Sequence, residues 1–129
     1  MSFKAIFTIN GQDLDVLSCS YSFYQSTGSD GKPTSGVLGG QIRLTTNSSV
    51  STALVEWMVN EHKVIDGKLT YYLLDSGQVM KELSFTKGFC IGYSENFSNA
   101  GDQPMLESIV ISAGSIKIGN AEHNNNWPE

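Results

Sequence analysis

The side chains able to carry chemistry are few and scattered. Histidine occurs twice, as His62 and His123. A zinc site gathers imidazoles or thiolates at short spacings, and neither histidine has such a neighbour in sequence, so both read as surface or helix-terminal groups. Two thiols, Cys19 and Cys90, are too few for a disulfide framework. Each sits in a strand-like run, Ser18-Cys19-Ser20 and Phe89-Cys90-Ile91, where a small reduced thiol packs like an apolar residue. A single cross-strand disulfide between them stays open. Paired carboxylates serve acid–base hydrolysis, and Asp13 and Asp15 share one strand face. Charges on an exposed sheet edge that discourage stray pairing explain them more simply. No serine lies in a Gly-x-Ser-x-Gly elbow. Gly36-Val37-Leu38-Gly39-Gly40 lacks the lysine and hydroxyl of a phosphate loop. Asp13, Asp15 and His123 are the only candidates for catalysis, and no spacing joins them. The expectation is a protein that is not an enzyme and holds no cofactor or metal.

What those residues are mounted on is mostly strand. Phe3, Ala5, Phe7 and Ile9 share a face by period two. Asn10-Gly11 signals a tight hairpin, since both residues accept positive φ. The return strand is expected to turn Leu17, Cys19, Tyr21 and Phe23 one way and Val16, Ser18, Ser20, Ser22 and Tyr24 the other. Thr27 to Gly40 has no period and is rich in glycine, a long loop of the kind that is often functional. Gln41–Asn47 reads as a strand. A helix then breaks the pattern at about residues 50–62, where Val50, Ala53, Leu54, Trp57 and Met58 form one apolar stripe. Leu54, Trp57 and Met58 are its core residues, Ser48, Ser49 or Ser51 its caps, and Lys63 suits its C-terminal dipole.

Asp66-Gly67 is expected to turn the chain into Leu69–Leu74, apolar on both faces. Asp75-Ser76-Gly77 turns it again into Val79–Thr86. Phe89, Ile91, Tyr93 and Phe97 then alternate with Cys90, Gly92, Ser94 and Asn96. A turn-rich stretch, Ser98 to Pro104, precedes the strand Met105–Ala113, and Ile116 and Ile118 follow Gly114. Gly119 to Glu129 reads as a polar tail in which Trp127 either docks back or meets a partner. The fold class is therefore mainly β: an antiparallel barrel or sandwich of about eight strands with one flanking α-helix.

Bulk properties narrow the partners. The chain has 129 residues, one domain by size, with 40% apolar and 16% charged residues. Its net charge is −5, and no basic cluster interrupts it. Nucleic-acid binding draws on a basic face, so no nucleic acid is expected. No stretch reaches membrane-span length, and Phe3 to Ile9 is too short and too charged for a signal peptide. Synthesis and folding in the cytoplasm, without membrane insertion, are expected.

An ordered set of segments carries a resemblance. It comprises Met1-Ser2-Phe3-Lys4-Ala5, Val16-Leu17-Ser18-Cys19-Ser20-Tyr21-Ser22, Gly31-Lys32-Pro33-Thr34-Ser35, Gly39-Gly40-Gln41-Ile42 and Glu56-Trp57-Met58. Gly101-Asp102-Gln103-Pro104, Ile109-Val110-Ile111-Ser112-Ala113 and Gly119-Asn120-Ala121-Glu122-His123-Asn124 complete it. Together they resemble TssD, the divergent branch of the haemolysin-coregulated (Hcp) tube proteins of type VI secretion systems. The resemblance implies a single tube-subunit domain over 1–129. Copies would form a homohexameric ring, and rings would stack into a hollow tube driven by a contractile sheath. Implied partners are the chain itself, the sheath, a VgrG-like spike and effectors, with export to the target cell or the extracellular space. It also implies an inter-ring or inter-subunit role for the loop at about 27–40, through Thr27, Gly28, Asp30, Gly31, Lys32, Pro33, Thr34, Ser35, Gly36 and Val37. Leu38 departs from the family pattern, in which a basic residue often stands just before the paired glycines. Two other readings compete: a phage tail-tube protein, and a carbohydrate- or peptide-binding β-sandwich with Tyr21, Tyr24 and Tyr93 as its platform.

Overall fold

The computed structural model describes residues 3–101 and 105–125. Strand β1 (Phe3–Ile9) runs into β2 (Gln12–Tyr21) through Asn10-Gly11. Both turn residues have positive φ, 48° and 74°, the two-residue turn whose twist matches a right-twisted strand pair. Then follow β3 (Gln41–Asn47), α1 (Ala53–Val59), β4 (Ile65–Leu73), β5 (Val79–Phe97), β6 (Met105–Ser112), β7 (Ser115–Ile118) and β8 (Ala121–Asn124). The strands pair antiparallel in the order β4-β1-β2-β3-β6-β5-β7-β8, and a further β4–β5 ladder closes the first six into a barrel. The β7–β8 hairpin hangs on β5 outside that closure. Among the described residues no helix is long and apolar enough to cross a membrane.

The core follows the period-two pattern. Phe7, Ile9, Ile42, Leu44, Leu69, Leu83, Phe85, Ile109, Ile111 and Ile116 fill it. Phe7 stacks on Phe85 with ring centres 6.1 Å apart. Gly67 and Gly88 permit the close approach there. A Cβ on Gly67 would stand 2.8 Å from both Ile9 Cγ2 and Phe85 Cζ, and one on Gly88 would stand 2.6 Å from Phe85 Cε2.

The helix is shorter than its stripe suggested, seven residues rather than the span 50–62. So short a helix has little stability of its own; packing holds it. Trp57 is fully buried, and its indole Nε1 donates to the carbonyls of Lys63 (3.2 Å) and Gly88 (3.1 Å). Leu54 is buried too, and Met58 packs on the core from its margin. Val50, expected in the stripe, lies outside the helix and is wholly exposed. Among the expected caps, Ser51 Oγ accepts the Ala53 amide at 3.2 Å. Lys63 does not complement the dipole: the last helical turn has no basic residue.

Irregularities inside strands account for the other departures. A register shift between Val16 and Ser18 moves β2 from one face to the other. Leu14 and Val16 therefore join Cys19 and Tyr21 against the core, while Leu17 is exposed. Asp66-Gly67 is no turn but the start of β4, and Asp66 Oδ1 accepts the Lys87 amide at 3.0 Å. The runs 79–86 and 89–97 are one strand, bent where Lys87 takes φ 54°. A shift between Cys90 and Gly92 then turns Cys90 inward and leaves Ile91 exposed; Phe97, at the open end, is exposed as well. The tail is structured through Asn125, since Ala121–Asn124 pairs with β7. Trp127 and the Asp102-Gln103-Pro104 part of the expected turn lie outside the described residues.

Candidate assembly surfaces

Four strands make a distinctive panel. β2 from Ser18, β3, β6 and β5 from Cys90 lie side by side. β1 pairs with β2 only as far as Val16. β4 and β7 pair with β5 only as far as Gly88 and Thr86. Among the described residues, no strand lies on the outer side of either panel margin. Unpaired strand margins invite addition of another chain.

The outward face of this panel is polar and almost uncharged. Register sets Ser18, Thr45, Ser108 and Ser94 in one row across it. The Thr45 and Ser108 hydroxyls meet at 3.1 Å. The next row holds Ser20, Arg43, Val110 and Gly92. The expected serine face of Ser18 and Ser20 is thus extended by its neighbours. Charge collects elsewhere on the barrel, at Lys4, Asp13, Asp15, Lys68, Glu82 and Lys117, all exposed. Asp13 and Asp15 are exposed on a stretch of β2 that pairs with β1 on one side only, since the β2–β3 ladder begins at Val16, which is the strand margin expected for them. Asp13 accepts the Thr8 hydroxyl at 2.7 Å, and Asp15 pairs with Lys4 at 3.8 Å.

Residues 22–40 form an arm at one end of the barrel. It is more ordered than the aperiodic sequence suggested. Tyr24 and Leu38 exchange backbone hydrogen bonds of 2.9 and 2.7 Å, and the Thr34 amide donates to the Ser26 carbonyl at 2.7 Å. At the tip, the Gly28 amide donates to the Lys32 carbonyl at 2.9 Å, Gly31 takes φ 83°, and the Lys32 amide donates to Asp30 Oδ1 at 3.0 Å. Thr27 bridges to Pro33. Ser35 accepts the Ser26 amide at 3.0 Å, and Gly36 and Val37 lead back toward the barrel. The arm's root is seated by the paired glycines. A Cβ on Gly39 would stand 2.6 Å from Phe23 Cδ1, and one on Gly40, at φ 100°, would run into Asn125. Asn125 Nδ2 instead donates to the Ala113 carbonyl at 2.8 Å. The barrel's far end carries the Asn10-Gly11 hairpin and the Asn47, Phe97 and Met105 strand ends.

The chemically able residues stay dispersed. Among the described residues, no three of His, Cys, Asp and Glu group as metal ligands. His62 is exposed beside Glu61; His123 contacts Asn125 Oδ1 at 3.1 Å and packs edge-on against Phe23. Asp13, Asp15 and His123 are not brought together. Both cysteines are free: Cys19 Sγ lies 2.9 Å from Tyr71 Oη, and burial pushes the Cys90 thiol up from its ordinary value, which suppresses its thiolate. Sequence reasoning missed Glu107, buried on β6, where Tyr93 Oη donates to it at 2.7 Å. Burial and then that bond hold the Tyr93 phenol above its usual range; burial and then Cys19 do so for Tyr71. Tyr21 and Tyr93 pack against the core, while Tyr24 is exposed, so the three form no sugar platform.

A family model described as hemolysin coregulated protein Hcp (TssD) matches residues 1–128. Hcp1 from Flavobacterium johnsoniae is 36% identical, with TM-score 0.91 over 95% of this chain and 99% of that one. Hcp1 from Salmonella typhimurium is 18% identical, with TM-score 0.76 over 92% and 86% of the two chains. The tube-terminating cap of the anti-feeding prophage shares the fold at 14% identity and TM-score 0.60, over 91% and 88%. A comparison with curated proteins finds no match.

Proposed function

Because the chain belongs to the Hcp (TssD) family and is a structural tube subunit of type VI secretion, we propose that its panel builds the tube wall by edge-to-edge joining of copies. The β2 margin at Ser18–Tyr21 meets the β5 margin at Cys90–Phe97 of the next copy. These are two different surfaces, so the contact is head-to-tail, and a constant rotation closes it into a ring. Closure at six copies gives the hexamer. The observation that carries this reading is the panel itself, four strands wide with both margins unpaired among the described residues. Its hydroxyl-lined face then becomes the channel wall, and the charged strands face outward toward a sheath. Electron micrographs of the purified protein should show annular particles with an open centre; a sample of lone subunits at every concentration would refute the reading.

The arm supplies contacts between rings. It leaves one end of the barrel, while Asn47, Phe97 and Met105 mark the other, so head-to-tail stacking sets the arm of one ring against the far end of the next. Thr27, Gly28, Asp30, Gly31, Lys32, Pro33, Thr34, Ser35, Gly36 and Val37 form its distal part. Leu38, where the family pattern is often basic, makes the contact at the arm's base apolar. Deleting residues 32–37 should leave single rings and their circular dichroism intact and shorten stacked tubes at least several-fold in micrographs. Tubes of unchanged length would remove the arm from the stacking contact. A contractile sheath outside drives the tube, with a spike at its tip and effectors within, out of the cell through the secretion machine.

A further inference from the structure

We propose that Arg43 makes the channel select polypeptide cargo that presents carboxylates. The inference rests on the ring reading, which turns the panel's outward face into the channel wall. Arg43 is the only arginine in the chain. It is exposed on β3, in a shallow groove of about 250 Å³ with Ser18, Ser20, Thr45, Ser108 and Val110. The cross-strand neighbours in its row are small or neutral, Ser20 on one side and Val110 then Gly92 on the other. Ion pairs among the described residues join Lys4 to Asp15 and His62 to Glu61, leaving the Arg43 guanidinium with no carboxylate partner.

An unpaired guanidinium offers a planar fork of donors that fits a carboxylate. The subunit's net charge is −5, so its far field repels acidic molecules. An isolated cation in a concave, otherwise uncharged wall is where the sign reverses, and such clefts focus the field. Ring symmetry repeats the cation around the channel. Binding one carboxylate then raises the effective concentration of the next site. A phosphate polymer would want a continuous basic track, which a single arginine per subunit does not make.

The test uses rings verified by light scattering and a fluorescent dodeca-glutamate peptide, read by anisotropy at low salt, where surface charges are least screened. Wild-type rings should bind the peptide. Arg43→Ser should weaken binding at least tenfold, and Arg43→Lys, which keeps the charge without the fork, should fall between. Intact Arg43→Ser rings that bind as well as wild type would overturn this inference alone. So would wild-type rings that bind an oligothymidine of matched length at least as tightly, since the wall would then favour phosphate. If light scattering finds only lone subunits, the ring reading fails and this inference falls with it.

Discussion

Trp57→Ala should lower the unfolding free energy by about 3–5 kcal/mol, the range for emptying a large aromatic site in a core. The side chain is fully buried, and its indole nitrogen bonds to the carbonyls of both Lys63 and Gly88. The loss is therefore twofold: packing volume between α1 and β5, and the tie that holds the segment after the helix. Trp57→Phe separates the two. It keeps most of the ring but leaves both carbonyls without that donor, and should cost roughly 1–3 kcal/mol, the range for an unsatisfied buried group. Urea titrations at one fixed subunit concentration check this, because assembly itself adds apparent stability. A loss below about 1 kcal/mol for the alanine variant would match an exposed site and contradict the burial.

Ile91→Asp should abolish rings while sparing the subunit fold. Ile91 is exposed on β5, just past the reach of β4 and β7, at the register shift between Cys90 and Gly92. A charge at a strand margin resists pairing there. If each contact weakens about tenfold, roughly 1.4 kcal/mol, a hexamer repeats that loss at every interface, and the ring-to-subunit equilibrium shifts by roughly a millionfold. Sedimentation velocity should show lone subunits with wild-type circular dichroism. Rings that persist at the same concentration would move the subunit contact away from this margin.

Regular stretches were legible in the residues, and irregular ones were not. Gln41–Asn47 announced β3 by alternation alone, with no bulge to disturb it. Asn10-Gly11 announced its hairpin because the turn demands residues that tolerate positive φ. Leu17 and Ile91 were misplaced because a single extra residue reverses which side chains face inward, and nothing in Val16-Leu17-Ser18 or Cys90-Ile91-Gly92 marks where the extra residue falls. Asp66-Gly67 looked like a turn, yet its glycine answers to Ile9 and Phe85, which are far off in sequence. Strand β8 was hidden by composition: an exposed margin strand such as Ala121–Asn124 has no apolar face to display. The serine face pointed toward the panel, but its completion by Thr45 and Ser108 came from register. Glu107 gave no local signal, since its partner Tyr93 is set by tertiary pairing.

Strand β5 has a mechanical corollary. It runs unbroken from Val79 to Phe97, closing the barrel with β4 in its first half and joining β6 in its second. With the panel lining the bore as proposed, the outer layer and the lining of a tube pushed from behind could not slide past each other without stretching one covalent backbone. Thrust received on the outside is thereby delivered to the bore through peptide bonds instead of side-chain friction.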